Sequence, residues 1–187
     1  MNERFTILKT NSEVRRRITE LAKDISRDYQ TIREDNPLLL LCTLRGAVFF
    51  AADLVRELTV PCEINFLKVH SYQGTRPAGS PIFDLGESID VRGRHVLIVE
   101  DIVDTGQTMD TVMRNFSDKG AADIRICTML DKPSRRYPHL KESVVPDYIG
   151  FPIDDLVVVG WGLDYDEKYR LFPDIMVYHP DTDGGKD

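Results

Sequence analysis

Apolar residues in this chain recur with two different periods, and those periods divide it into alternating elements. Val14, Ile18, Leu21 and Ile25 follow helical spacing. Thr10 stands ahead of them with Glu13 three residues on, the pattern of a capping box, so a helix is expected to about Tyr29. Leu38 to Thr43 is an unbroken apolar run of strand length, as in a strand buried on both faces of a parallel sheet. A turn at Leu44-Arg45-Gly46 leads into a second helix over 47–58, expected to carry Val48, Phe49, Ala52 and Val55 inward. Pro61 breaks it. Cys62, Ile64 and Phe66 then alternate with Glu63, Asn65 and Leu67 in a strand running to about Ser71.

Residues 72–80 show no period and are rich in glycine, proline and small polar residues, the composition of a mobile loop. After a turn at Arg92-Gly93, Val96 to Val99 is a second continuous apolar run. A helix over 106–118 follows, with Met109, Val112, Met113 and Phe116 on one face, and Lys119-Gly120 is its expected stop. Ile124, Ile126 and 128–130 form the next strand, and 133–146 is polar and irregular. Short β segments are expected at 148–151 and 156–159, a last edge strand at 175–178, and a disordered tail from Asp181. Strands alternating with helices imply an α/β fold with a central parallel sheet flanked by helices. The shorter β segments near the C-terminal end imply a small hood lobe over the sheet edge.

Composition narrows the function classes. At 187 residues the chain is expected to be one domain with its own core. No apolar run approaches membrane-spanning length, so a cytoplasmic protein without membrane contact is expected. Cys42, Cys62 and Cys127 are far apart among apolar neighbours and read as free thiols. The histidines make no zinc pattern. A net charge of −7 argues against nucleic acid as the main partner.

The same charge sets a problem, because the best candidate site suits an anion. The strand at 96–99 runs into two adjacent acids, Glu100 and Asp101, then Asp104, Thr105, Gly106, Gln107 and Thr108, and then a helix. Hydroxyls and free backbone N–H groups at a helix start satisfy phosphate oxygens, and a glycine lets the backbone approach. Two carboxylates can accept from a ribose diol or hold Mg²⁺ through oxygen. No Gly-x-x-x-x-Gly-Lys precedes the loop, so it is not a Walker loop.

The string from Val96 to Thr108 resembles the phosphoribosyl pyrophosphate (PRPP) motif of the type I phosphoribosyltransferases: a hydrophobic strand, two acids, two apolar residues, then Asp-Thr-Gly-x-Thr. Leu44-Arg45-Gly46 and the residues after it are similar to the pyrophosphate loop of hypoxanthine-guanine phosphoribosyltransferases, in which the peptide before the basic residue is cis. Ser71 and Tyr72 resemble the pair that opens that family's flexible loop. Lys132 matches its 6-oxo-recognising lysine, and Val158 to Tyr165 with Arg170 its purine-site segment. The likeness runs from about Leu38 to Arg170.

The resemblance implies a single domain over 1–187, with a core at about 30–145 and a hood from the N-terminal segment and about 146–180. It implies transfer of 5-phosphoribosyl from PRPP to N9 of hypoxanthine or guanine, with xanthine also open, in a homodimer or homotetramer using Mg²⁺. Asp104 is the implied proton-handling residue. Glu100 and Asp101 would hold the ribose hydroxyls, directly or through metal, and the 104–108 loop the 5′-phosphate. Leu44, Arg45, Gly46 and Arg170 would meet pyrophosphate. Asp164 would help bind a second metal, while Lys132, Val157 and Val158 would meet the base. Val157 stands where the family usually has an aromatic, and Gln107 where it often has a basic residue. Two alternatives stay open: a PRPP-sensing RNA-binding regulator, and a phosphoribosyltransferase for another base.

Overall fold

The computed structural model describes residues 4–70, 82–84 and 89–180. Ser71, Tyr72, the expected loop at 72–80 and the expected tail from Asp181 lie outside the described residues. In chain order the elements are β1 (Phe5–Lys9), α1 (Asn11–Asp28), β2 (Leu38–Leu44), α2 (Val48–Glu57), β3 (Cys62–His70), β4 (Ile82–Asp84), β5 (His95–Val103), α3 (Gln107–Asp118), β6 (Asp123–Asp131), β7 (Tyr148–Pro152), β8 (Val158–Val159) and β9 (Ile175–Tyr178).

Six strands form the main sheet in the order β4-β3-β2-β5-β6-β7. Every pairing from β3 to β7 is parallel, and only the short β4 runs antiparallel. The unbroken apolar runs of the sequence are explained by burial on both faces. Leu38, Leu40, Cys42, Leu97 and Val99 pack beneath α1 and α2. Leu39, Leu41, Val96 and Ile98 pack on the other face with Met109, Val112 and Phe116 of α3. α1 begins in a full capping box: the Glu13 N–H donates to Thr10 Oγ1 at 3.3 Å, and the Thr10 N–H donates to Glu13 Oε2 at 2.9 Å.

Several expectations are corrected. α2 buries Phe50, Ala51 and Leu54, whereas Val48 and Phe49 are exposed at 37% and 43%. The 47–55 segment is apolar on nearly every side, so its period does not select one face. In β3 the alternation marks a strand, but Ile64 and Phe66 are exposed while Leu67 is fully buried. β9 is not an edge strand: it is the middle of a small antiparallel sheet ordered β1-β9-β8. β1, which has no clear sequence period, pairs with it from Phe5 opposite Tyr178. β7, grouped with the hood in the sequence reading, pairs with β6 and completes the main sheet. Trp161 is buried with its ring against Phe50, a core role.

Candidate active site

The C-terminal ends of β2 and β5 lie side by side, which is where an open parallel sheet collects its ligands. A cleft of about 300 Å³ opens there. It is lined by Leu44, Arg45 and Gly46 after β2, by Glu100, Asp101 and Asp104 at the end of β5, by Thr105, Gly106 and Thr108 at the start of α3, and by Asp164 and Arg170 of the hood. The sequence-predicted loop, acids and hood residues therefore share one cleft. Gln107, Lys132, Val157 and Val158 are not among its lining residues. Lys132 is buried at the end of β6, Val158 is buried in β8, and Val157 is 42% exposed.

Each part of the cleft is held by identifiable contacts. The Leu44–Arg45 peptide is cis. A Cβ added to Gly46 would fall 1.5 Å from Asp101 Oδ2, so only glycine lets the β2 loop and the β5 acid approach this closely. The Asp101 Oδ1 accepts the Ile102 N–H at 2.8 Å. The Thr43 hydroxyl lies 2.8 Å from Glu100 Oε1 and 3.0 Å from the Val99 carbonyl, so that its one proton goes to either acceptor, a positioning contact the sequence reading missed. Gly106 caps α3 with φ of +87°, a left-handed conformation suited to glycine, and no side chain caps the helix. The first-turn N–H groups of α3 have no intrahelical acceptor, and apart from a long contact of 3.5 Å from the Gln107 N–H to Thr105 Oγ1 they are available to an anion.

Two arginines absent from the sequence reading brace this loop from behind. Arg136 is 5% exposed; it pairs with the buried Asp131 and donates to the Asp104 carbonyl. Arg135 Nε donates to Asp104 Oδ1 at 3.1 Å. Both lie in the segment read only as polar and irregular, where no period signals burial. In the hood, Glu167 bridges Arg45 at 2.9 Å and Arg170 at 3.2 Å, and Arg170 also pairs with Asp164 at 2.8 Å. Glu167 was likewise missed, since one more acid in a charged stretch carries no sequence signal.

Burial, and next the charge of Asp101, pushes the Glu100 carboxyl well above the usual carboxylate range. The native carboxyl holds its proton more tightly than the unfolded one, so its contribution to stability is lost as pH rises from 4.5 through the raised value. Glu100→Gln is therefore expected to raise the thermal midpoint in cation-free buffer at neutral pH, with the gain fading as pH falls to 4.5. Thermal unfolding across that pH range checks it; a destabilised variant at neutral pH would show that the charge itself holds the cleft together. The donors here are hard oxygens, and a divalent cation would offset the crowded charge. Among the described residues no group of three or more His, Cys, Asp or Glu could hold a metal ion by itself. The Glu100–Asp101 pair, and Asp164 separately, each match the way magnesium is usually held, by one or two carboxylates completed by substrate phosphates.

A family model described as a phosphoribosyl transferase domain matches residues 5–168. The chain belongs to the phosphoribosyl transferase family. Among relatives of this phosphoribosyl transferase, the hypoxanthine-guanine phosphoribosyltransferase of Mycobacterium avium is 38% identical over 88% of this chain and 81% of its own. The hypoxanthine phosphoribosyltransferase of Haemophilus influenzae is 41% identical over 88% and 89%. A mutant hypoxanthine phosphoribosyltransferase from Trypanosoma cruzi, complexed with the product IMP, superposes with a TM-score of 0.86 at 38% identity over 96% of this chain and 94% of its own. No helix among the described residues is long and apolar enough to cross a membrane.

Proposed function

We propose that this phosphoribosyl transferase moves the 5-phosphoribosyl group of PRPP onto N9 of hypoxanthine or guanine, giving IMP or GMP and pyrophosphate in purine salvage. The supporting observation is the single cleft that gathers the Asp104–Thr108 loop, the Glu100–Asp101 pair and the Arg45 and Arg170 loops. In this reading Thr105, Gly106, Gln107 and Thr108 receive the 5′-phosphate, through hydroxyls and the α3 N-terminus. Glu100 and Asp101 hold the ribose diol. Leu44, Arg45, Gly46 and Arg170 meet the pyrophosphate, and Asp104 takes the proton from N7 as the ring electrons shift. Lys132 donates to O6, Val157 covers the base by apolar contact, and Val158 meets it through its backbone. Ser71 and Tyr72 would open the loop that excludes water. Glu100 and Asp101 would hold one magnesium ion and Asp164 would help hold a second, which together would supply positive charge to the substrate's anionic oxygens.

Incubation with PRPP, Mg²⁺ and each of hypoxanthine, guanine, xanthine, adenine and uracil tests the assignment. Nucleotide from a 6-oxopurine is expected, and its absence with all three 6-oxopurines would sink the reading. Lys132→Ala is expected to raise the KM for base about ten-fold and to spare PRPP affinity, a loss of the size a charged hydrogen bond supplies. An unchanged base KM would remove Lys132 from the site.

We place the enzyme in the cytoplasm, where its three free cysteines stay reduced. A homodimer or homotetramer is proposed through Val48 and Phe49 of α2 with Ile64 and Phe66 of β3, apolar side chains exposed on one side of the main sheet. Phe49→Glu combined with Phe66→Glu is expected to give a smaller species in light scattering. An unchanged mass would place the interface elsewhere.

A further inference from the structure

Four charged side chains form an unbroken series beside the cleft. Arg135 Nε lies 3.1 Å from Asp104 Oδ1, and Arg135 Nη1 lies 3.5 Å from Asp155 Oδ2. The other oxygen of Asp155 lies 3.6 Å from Lys132 Nζ. The series crosses three parts of the chain: the loop after β5, the turn after β6, and the connection from β7 to β8. Lys132 is nearly buried, with 10% of its side chain exposed, so its ammonium depends on a nearby carboxylate. Arg135, Asp104 and Asp155 are each about half exposed and free to exchange partners.

We propose that Arg135 and Asp155 are positioning residues that couple recognition of a 6-oxo group at Lys132 to the freeing of Asp104. This rests on the purine reading above. Before base binds, Arg135 is shared between two carboxylates. An oxygen on C6 draws the Lys132 ammonium to itself and away from Asp155. Asp155 then attracts Arg135 more strongly, because one of its two cations has a new partner. Arg135 moves off Asp104, and the Asp104 carboxylate is left to accept the N7 proton. The N9–C1′ bond forms, the bond from C1′ to the pyrophosphate oxygen breaks, and the proton passes from N7 to Asp104. A base without a 6-oxo group leaves Lys132 on Asp155 and Arg135 on Asp104. Rejection of such a base therefore falls on turnover as well as on binding.

The test compares hypoxanthine with unsubstituted purine in steady-state kinetics, with PRPP affinity followed by calorimetry. Arg135→Gln frees Asp104 whatever base is present. The kcat preference for hypoxanthine should shrink about five-fold, the scale of an exposed ion pair, while the KM preference stays. Asp155→Asn leaves Arg135 on Asp104 alone, so kcat for hypoxanthine should fall about five-fold. Adding Arg135→Gln to Asp155→Asn should restore that kcat, whereas Arg135→Lys, which keeps the charge, should not. PRPP affinity should be unchanged throughout. An unchanged kcat preference in Arg135→Gln, a double variant slower than Asp155→Asn, or lost PRPP affinity in Asp155→Asn each overturns the coupling. Failure of the purine assignment looks different, since the wild-type protein itself would then form no nucleotide from any 6-oxopurine.

Discussion

Asp104→Asn is expected to lower kcat by roughly 10²- to 10⁴-fold, the range of a lost general acid–base contribution, with PRPP affinity nearly unchanged. The asparagine keeps an acceptor for the Arg135 guanidinium, which donates to Asp104 Oδ1 at 3.1 Å. Its backbone carbonyl still receives Arg136. The loop should therefore hold its shape, and the 5′-phosphate contacts proposed for Thr105 to Thr108 should survive. What disappears is a group that can carry a proton at N7. Single-turnover product formation and calorimetric PRPP titration separate the two effects. A parallel loss of PRPP binding would assign Asp104 to the architecture of the loop and remove it from proton transfer.

Arg136→Met is expected to destabilise the protein by about 3–5 kcal/mol, because it leaves the Asp131 carboxylate buried without its partner. The two side chains are 4% and 6% exposed, so solvent does little to screen the loss. Adding Asp131→Leu removes the orphaned charge and should recover most of the stability in a urea titration. Turnover should not recover with it. The Asp104 carbonyl still lacks the Arg136 donor. If the double variant regains both stability and turnover, the pair serves only the fold. If it regains neither, the pair's geometry is needed for folding itself.

These two arginines also show where sequence reading ends. The parallel core was legible because both-face burial writes an unbroken apolar run, as in Leu38 to Cys42 and Val96 to Val99. The cleft-lining loop at Asp104–Thr108 was legible as a loop ahead of a helix because its residues are consecutive. Arg135 and Arg136 were not, because their role depends on a turn after β6 reaching back to the loop after β5. Nothing local distinguishes them from solvated charges. The face of α2 was misjudged for the opposite reason: too many apolar residues fit more than one phase. β1 escaped notice because its partner, β9, lies about 170 residues away, and no local window contains such a pairing.

That pairing has a consequence for how the protein is made. The hood sheet joins Phe5 on β1 to Tyr178 on β9, with β9 in the centre. During synthesis the strands of the parallel core can associate as they emerge, each soon after its neighbour. The first strand must wait until β9 has left the ribosome. Asp164 and Arg170, which line the cleft from the hood side, lie between those two events in the chain. The hood side of the cleft is thus completed after the parallel core, and a nascent chain acquires its ligand-binding form only once β9 has emerged.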